Sequence, residues 1–193
     1  MDKYKYATGW TEHDGYVEVS TFRACCACRL LDFDEDVSHF SRNRKTLTYV
    51  MNNKKRQLTP DFSVCYKQSH YYLHCYKDGS FTNEQIKLLA KEHSIHFWPE
   101  SFLIDNPMID NINLMRRYMH NGFRSPEFVQ TLVVPTSIGP TFTAKAFREH
   151  LNYSPAEANM KLLQLAGYRK LTFDIRQPYS ENTVFQVVEI RSS

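Results

Sequence analysis

The sequence lacks any run approaching the roughly 20 apolar residues that a membrane-spanning helix requires. Its first residues, MDKYKYATGW, also lack the charged-then-apolar order of a secretory signal peptide. From these two absences we expect a soluble, cytoplasmic protein with no membrane partner.

Cysteine is scarce, and its pattern is not that of a secreted protein. The chain has five cysteines, an odd number, and three of them lie in the CCAC stretch as Cys25, Cys26 and Cys28. Cys25 and Cys28 have CxxC spacing, but no second CxxC follows to complete a four-cysteine zinc site. We therefore expect reduced cysteines packed on a helix face, and no metal bound there.

A strong charge of either sign is also missing. The 193 residues carry a net charge of +3 and have a pI near 8.5, which is too mild to demand a polyanionic partner. With 42% hydrophobic residues the chain can bury a core, in one large or two small domains. Local basic clusters could still supply a phosphate-binding face.

Two helices are well signalled in the first part of the chain. The segment FRACCACRLLDF (22–33) lacks Gly and Pro and suits a helix. Thr82, three residues before Gln85, forms a capping-box pattern that starts a second helix. A third helix is expected over NPMIDNINLMRRYMH (106–120).

Short stretches rich in β-branched and aromatic residues predict strands between and after these helices. In chain order they are LTYVM (47–51), FSVCY (62–66), HYYLHCY (70–76) and IHFWP (95–99). We expect the first two to form a hairpin around NNKKRQ, whose paired Asn suit a turn. The result is an α/β domain over residues 1–121, with a mixed sheet flanked by helices.

Residues 122–193 predict a small second domain. Three helical segments, SPEFVQTLVV, FTAKAFREHLNY and SPAEANMKLLQLAGY, precede two strands, KLTFDIR and TVFQVVEI. This is the order of a winged helix-turn-helix. The third helix has Ser154 as its N-cap, Pro155 as its first residue and Gly167 as its stop.

Such a module could bind DNA or dock a protein, because winged helices do both. The residues that could contact bases or phosphates are Arg148, Asn159, Lys161, Gln164, Arg169, Lys170 and Arg176.

A second basic set flanks the predicted hairpin of the first domain. It consists of Arg42, Arg44, Lys45, Lys54, Lys55 and Arg56. These side chains could follow a DNA backbone, or they could simply keep a hairpin edge soluble and deter strand pairing.

Asp61, in PDF, and Lys77, at the end of HCYK, are the candidate catalytic pair. Metal-dependent cleavage of a phosphodiester needs at least two carboxylates to hold a divalent ion, and a Lys to neutralise charge or activate water. A carboxylate two residues before Lys77 would complete the set, but that residue is Cys75. Sulfur is a poor ligand for Mg²⁺ or Mn²⁺.

An ordered series of segments carries a resemblance to a known family. The series is DFDEDV, then TPDFSV, then a strand ending in Lys, then AKEHSIHFWPESFLIDNPMIDNINLMRRY. From about Val19 onward it resembles the TnsA-type endonucleases of heteromeric transposases, more weakly in the last third. The resemblance implies a restriction-endonuclease-like PD-(D/E)XK domain followed by a winged-helix-like domain, with Mg²⁺ or Mn²⁺ if the site is active.

The same resemblance implies that the active site is degenerate. The family's helix glutamates fall on Ser20 and Ala24, and its second-strand Glu or Gln falls on Cys75. Asp61 and Lys77 remain. Glu18, two residues before the Ser20 position, is the acid that could substitute if the register were shifted.

Three functions follow as alternatives. The first is a pseudo-nuclease that binds DNA, a transposase-type partner, or both, in a mobile-element or DNA-processing complex. The second is an active metal-dependent DNA endonuclease cutting at transposon ends with Glu18, Asp61 and Lys77. The third is a protein-interaction module without nucleic-acid contact. We favour the first, which requires no cofactor.

Overall fold

The structure is a computed structural model that describes residues 4–8, 16–119 and 132–188. The chain divides into two compact units, Met1–Asn106 and Pro107–Ser193. Among the described residues, no helix is both long enough and apolar enough to cross a membrane.

A four-stranded sheet forms the centre of the first unit. Its strands are β3 (Val37–Arg42), β6 (Phe62–Tyr66), β7 (Ser69–Tyr76) and β8 (Ile95–Pro99), in that order across the sheet. The β3–β6 and β6–β7 pairs are antiparallel, and β7–β8 is parallel. The predicted mixed α/β architecture is therefore confirmed, although β3 is an additional strand.

Helix α1 spans Phe22–Phe33, as the sequence predicted. Thr21 caps its N-terminus by accepting a hydrogen bond from the Ala24 N–H. The cysteines of this helix are buried and reduced, as expected. Before it, β1 (Tyr4–Ala7) and β2 (Tyr16–Val19) pair as an antiparallel ribbon that the sequence analysis did not predict.

The predicted hairpin between 47–51 and 62–66 is wrong. Strand β4 (Leu47–Met51) pairs with β5 (Lys54–Leu58) in a separate two-stranded sheet, while β6 pairs with β3 and β7. The reason lies in the turn: Asn52 and Asn53 both have positive φ, at 52° and 59°. Two such residues reverse the chain at once, so the basic stretch after them becomes the partner strand.

Helix α2 (Asn83–His93) links β7 to the parallel strand β8. Its capping box is present in both directions, between Thr82 and Gln85. Together with the β4–β5 hairpin it buries an apolar cluster that consists of Leu47, Tyr49, Leu58, Leu89 and Ile95. A short helix, α3 (Glu100–Leu103), follows β8 directly.

Within the residues that the structure describes, the second unit contains three α-helices, a short 3-10 helix (Thr136–Ile138) and a three-stranded sheet. In chain order the elements are α4 (Pro107–Tyr118), β9 (Thr141–Thr143), α5 (Ala144–Leu151), α6 (Pro155–Gly167), β10 (Leu171–Thr172) and β11 (Val184–Val187). The strand order is β10–β11–β9, antiparallel throughout. Ser154 caps α6 and Pro155 is its first residue, as predicted.

Two predictions for this region fall partly or wholly outside the described residues. The predicted domain boundary after residue 121 lies outside the described residues, as does most of the predicted helix SPEFVQTLVV. The last residues of that segment, 132–134, are described and have no regular structure. The observed division comes earlier, at Asn106, because α4 packs against α6. Their contact is close: a Cβ built on Gly167 would lie 2.7 Å from the Met119 sulfur.

Candidate functional site

A polar cavity of about 210 Å³ lies in the first unit, between the start of α1 and the loop that precedes β6. Its lining residues are Val19, Ser20, Arg42, Asn43, Thr59, Pro60 and Asp61. The structure thus brings Ser20, on which the family's helix acid falls, into the same cavity as Asp61.

The Asp61 carboxylate already contacts other groups of the same chain. Its Oδ2 accepts a 2.8 Å hydrogen bond from the Cys75 backbone N–H. The same oxygen lies 2.9 Å from His74 Nδ1, a close contact whose geometry is not that of an aligned hydrogen bond. Only 20% of the Asp61 side chain and 16% of the His74 side chain are exposed. Asp61 therefore fastens the start of β6 to the end of β7.

His74 was not anticipated from the sequence. It precedes Cys75 on β7, so its side chain lies on the other face of the sheet, edge-on to Phe81 and Phe97. The sequence shows His74 in HCYK, next to the candidate residues Cys75 and Lys77. Its contact with Asp61 could not be predicted, because that contact depends on how β6 pairs with β7.

Arg23 is a second site residue that the sequence analysis missed. Its Nε donates a 2.9 Å hydrogen bond to the Cys75 carbonyl, and its Nη1 lies 3.8 Å from Glu100 Oε1. The available signal was a single basic residue in an otherwise small and apolar run, FRACCAC. The α1 guanidinium therefore binds β7 at Cys75.

Cys75 lies in a closed, apolar environment. Its side chain is 1% exposed. Burial raises the pKa of this thiol far above its usual range, and the nearby Asp61 carboxylate and Cys28 raise it further. The Cys28 thiol, fully buried on α1, has its pKa raised chiefly by the same cause. Both thiols are protonated and unreactive near neutral pH.

The structure does not bring Glu18 or Lys77 into the cavity. Glu18 lies on β2, where its carboxylate is 3.9 Å from the Lys5 ammonium, and it is not among the lining residues. Lys77 follows β7 and is exposed.

The donor set does not fit the Mg²⁺ or Mn²⁺ that the resemblance implies. These ions take several oxygen ligands, whereas Asp61 is the one carboxylate that lines the cavity. Over residues 4–8, 16–119 and 132–188, no three His, Cys, Asp or Glu side chains are grouped so as to hold a metal ion.

The basic residues predicted around the hairpin of the first unit are all exposed. They are Arg42, Arg44, Lys45, Lys54, Lys55 and Arg56. Within the described part of the chain, none of these six side chains forms an ion pair. Arg42 also lines the cavity beside Asp61.

Asn43 ties the first of these basic segments to the loop that carries Asp61. Its side chain is buried; Nδ2 donates to the carbonyls of Lys45, at 2.8 Å, and Pro60, at 3.2 Å, while Oδ1 accepts from the Lys45 N–H at 3.0 Å. The Asn43 N–H donates to the Asp61 carbonyl at 2.9 Å. These bonds hold the backbone of residues 42–45 in place and so position the side chains of Arg42 and Lys45.

In the second unit, several predicted DNA contacts are engaged elsewhere. Gln164 is 6% exposed, so it cannot reach a base edge, and that prediction is wrong. The elements that pack against α6 decide which of its residues face outward. The sequence pattern does not identify those elements. Asn159 accepts a 2.7 Å hydrogen bond from the Tyr179 hydroxyl.

The cations of the second unit divide into paired and exposed groups. Arg148 is paired with Glu181, and Arg176 with Asp174 at 2.8 Å. Lys161 is exposed on α6, whereas Arg169 and Lys170 are half-buried after it. Only part of the predicted set is therefore available to a polyanion.

No protein-family model matches this sequence, and no curated protein is significantly similar to it.

Proposed function

We propose that this protein binds DNA through the basic segments of its first unit and does not cut it. The observation that carries the proposal is the set of six exposed cations without an ion-pair partner in the described chain, one of which, Arg42, lines the cavity that holds Asp61. Unpaired Lys and Arg side chains release counterions from DNA when they meet its phosphates, and this release drives binding.

The lack of cleavage follows from the ligands that are missing. By the resemblance, Ser20 stands where the TnsA-type endonucleases have a glutamate and Cys75 where they have Glu or Gln, and Asp61 already accepts the Cys75 N–H. Loss of one electrostatic stabiliser of a transition state costs on the order of 10² in rate, so a site that lacks both side chains retains little catalysis. The Asp61 carboxylate instead connects two strands.

The order of elements in the second unit supports the proposed winged-helix-like domain. A helix, a strand, two helices and two strands follow one another, and β9 pairs with the last strand. With the ordered motifs of the first unit, this supports a degenerate TnsA-like protein whose partner is a transposase or another mobile-element protein.

Fluorescence anisotropy with a labelled DNA duplex tests the binding proposal. A Lys54→Glu/Lys55→Glu variant should bind several-fold more weakly, and the slope of log K against log salt should fall by about 0.9 for each lost phosphate contact. The matched control is Lys87→Glu/Lys91→Glu on α2, with the same charge change on exposed residues of the same unit. Equal losses in the two variants would refute a specific role for the hairpin.

A plasmid assay tests the absence of cleavage. We expect supercoiled plasmid to remain intact with wild-type protein and Mg²⁺ or Mn²⁺. Nicking by the wild type that an Asp61→Ala variant does not show would overturn this part of the proposal and favour an active endonuclease.

The outward face of α6 favours a second role, protein docking by the second unit. Its exposed side chains are Pro155, Ala156, Glu157, Met160 and Lys161, a mixed set that does not match a DNA-reading helix. A Lys161→Glu/Lys170→Glu variant should therefore keep the duplex affinity of the wild type. A several-fold loss with a shallower salt slope would show instead that this unit contacts phosphates.

A further inference from the structure

The cavity beside Asp61 offers a hydrogen-bond acceptor that suits the edge of a base. Arg42 lines the same cavity, and Asp61 Oδ2 already accepts the Cys75 N–H, so the second carboxylate oxygen, Oδ1, is the acceptor left for a ligand. Ring N–H and amino groups of a base are hydrogen-bond donors that a carboxylate accepts, as Asp and Glu do from the cytosine amino group.

The size of the cavity agrees with a single small ring system. Its volume of about 210 Å³ is below the roughly 300–1,000 Å³ of pockets that hold drug-sized ligands. In paired DNA, the base edges are not free to enter it, so the occupant must be an unpaired base.

Two exposed aromatic rings lie at the same end of the first unit. Phe22 is 48% exposed and comes two residues after Ser20, which lines the cavity. Tyr4 is 38% exposed and pairs across β1–β2 with Val19, another lining residue. The centres of the two rings are 6.2 Å apart. Exposed aromatic rings, combined with cationic side chains that follow the backbone, are the usual stacking surface for single-stranded DNA.

Arg42 connects this surface with the proposed backbone-binding segments. It lines the cavity, it is exposed, and it begins the basic run that Asn43 holds in place. A strand whose phosphates follow these cations therefore brings its bases toward the cavity and the rings.

We propose that this site receives an unpaired nucleotide of DNA, stacked on Phe22 with its amino edge on Asp61, while Tyr4, whose ring is tilted by 56° to that of Phe22, packs beside it. The inference rests on the proposed DNA binding and names its substrate: single-stranded or gapped DNA in preference to intact duplex. Because a carboxylate only accepts hydrogen bonds, the site should favour cytosine over thymine, which lacks an amino group.

The test compares affinities for oligonucleotides of about 16 nucleotides, at fixed salt and neutral pH. The probes are oligo-dC, oligo-dT and a mixed-sequence duplex of equal length. The variants are Phe22→Leu, which keeps apolar bulk but removes the ring, and Asp61→Asn, which keeps an acceptor for the Cys75 N–H. The matched control is Phe102→Leu, because Phe102 is 42% exposed in the same unit and lies outside the site.

The wild type should bind oligo-dC most tightly. Phe22→Leu should weaken single-strand binding by about fivefold or more while leaving duplex binding within about twofold, and Phe102→Leu should change neither. Asp61→Asn should reduce the preference for oligo-dC over oligo-dT.

Each other result has a definite reading. If the wild type binds duplex as tightly as single strands, or if Phe22→Leu has no effect on single strands, the inference is wrong although the proposed DNA binding stands. If Phe22→Leu weakens duplex and single-strand binding equally, stacking is not its role and the inference also fails. If the wild type binds no DNA at all, the proposed function fails first.

Discussion

Replacing Asp61 by alanine should destabilise the protein, because this carboxylate is bonded to the chain's own groups. The substitution removes the acceptor of the Cys75 N–H and the neighbour of His74 Nδ1. A hydrogen bond to a charged group contributes about 1.5–3 kcal/mol. Since 20% of the Asp61 side chain is exposed and water can enter the vacated space, we expect about 1.5–2 kcal/mol.

Thermal unfolding followed by circular dichroism measures the effect. At about 2–4 °C per kcal/mol for a chain of this length, the midpoint should fall by roughly 3–8 °C. Asp61→Asn keeps an oxygen acceptor and should lose less than about 1 kcal/mol. Glu84→Ala, an exposed acid in the first turn of α2, is the control and should change stability by about 0.5 kcal/mol.

The opposite sign would refute this reasoning. A catalytic acid held ready for a metal ion is commonly destabilising, so its removal leaves stability unchanged or increased. An Asp61→Ala protein at least as stable as the wild type would show that the carboxylate does not act as a connection between β6 and β7.

Three further predictions concern packing, pH and thiol chemistry. Gly167→Ala should change stability by less than about 1 kcal/mol in urea unfolding, because its Cβ, 2.7 Å from Met119 Sδ, displaces a flexible side chain while Ala is better than Gly in a helix by about 0.5–1 kcal/mol. In a Met119→Ala background the same substitution should be stabilising. Burial raises the pKa of Tyr179 to about 12. The folded protein thus holds this proton more tightly than the unfolded chain does. The stability that the protonated Tyr179 contributes is therefore intact below about pH 10 and is lost as pH rises toward 12. Urea unfolding midpoints should fall over this pH range, and should fall less in Tyr179→Phe. Thiol labelling followed by mass mapping should modify the partly exposed Cys65 before the buried Cys75, and equal rates would contradict the described burial.

The sequence predicted the elements whose signals are local. Thr82 and Ser154 cap their helices with hydrogen bonds that span three residues, so the pattern alone identifies both starts. The turn at Asn52 and Asn53 was equally visible. The partner of β4 was not, because Lys54–Leu58 has four exposed residues in a row and shows none of the alternation that marks a strand.

The site could be predicted only in part, for a related reason. Asp61 and Cys75 were identified from the spacing of motifs along the chain. Their actual contacts depend on pairing between β6 and β7 and on the packing of α1, so neither His74 nor Arg23 had a local signal strong enough to assign its partner. Gln164 illustrates the same limit, since its burial is decided by neighbours distant in sequence.

The enclosure of Cys75 has a consequence for any attempt to engineer a nuclease on this scaffold. A glutamate substituted for Cys75 would replace a residue that is 1% exposed and would lie beside the thiols of Cys26 and Cys28. The backbone at this position already accepts a hydrogen bond from Arg23. Desolvation and the nearby Asp61 would keep the new acid protonated, and a neutral acid is a weak ligand. A site for a divalent metal ion would require changes on helix α1 and strand β7 at the same time. Single substitutions made one after another would therefore bring no gain in metal binding until the last of them.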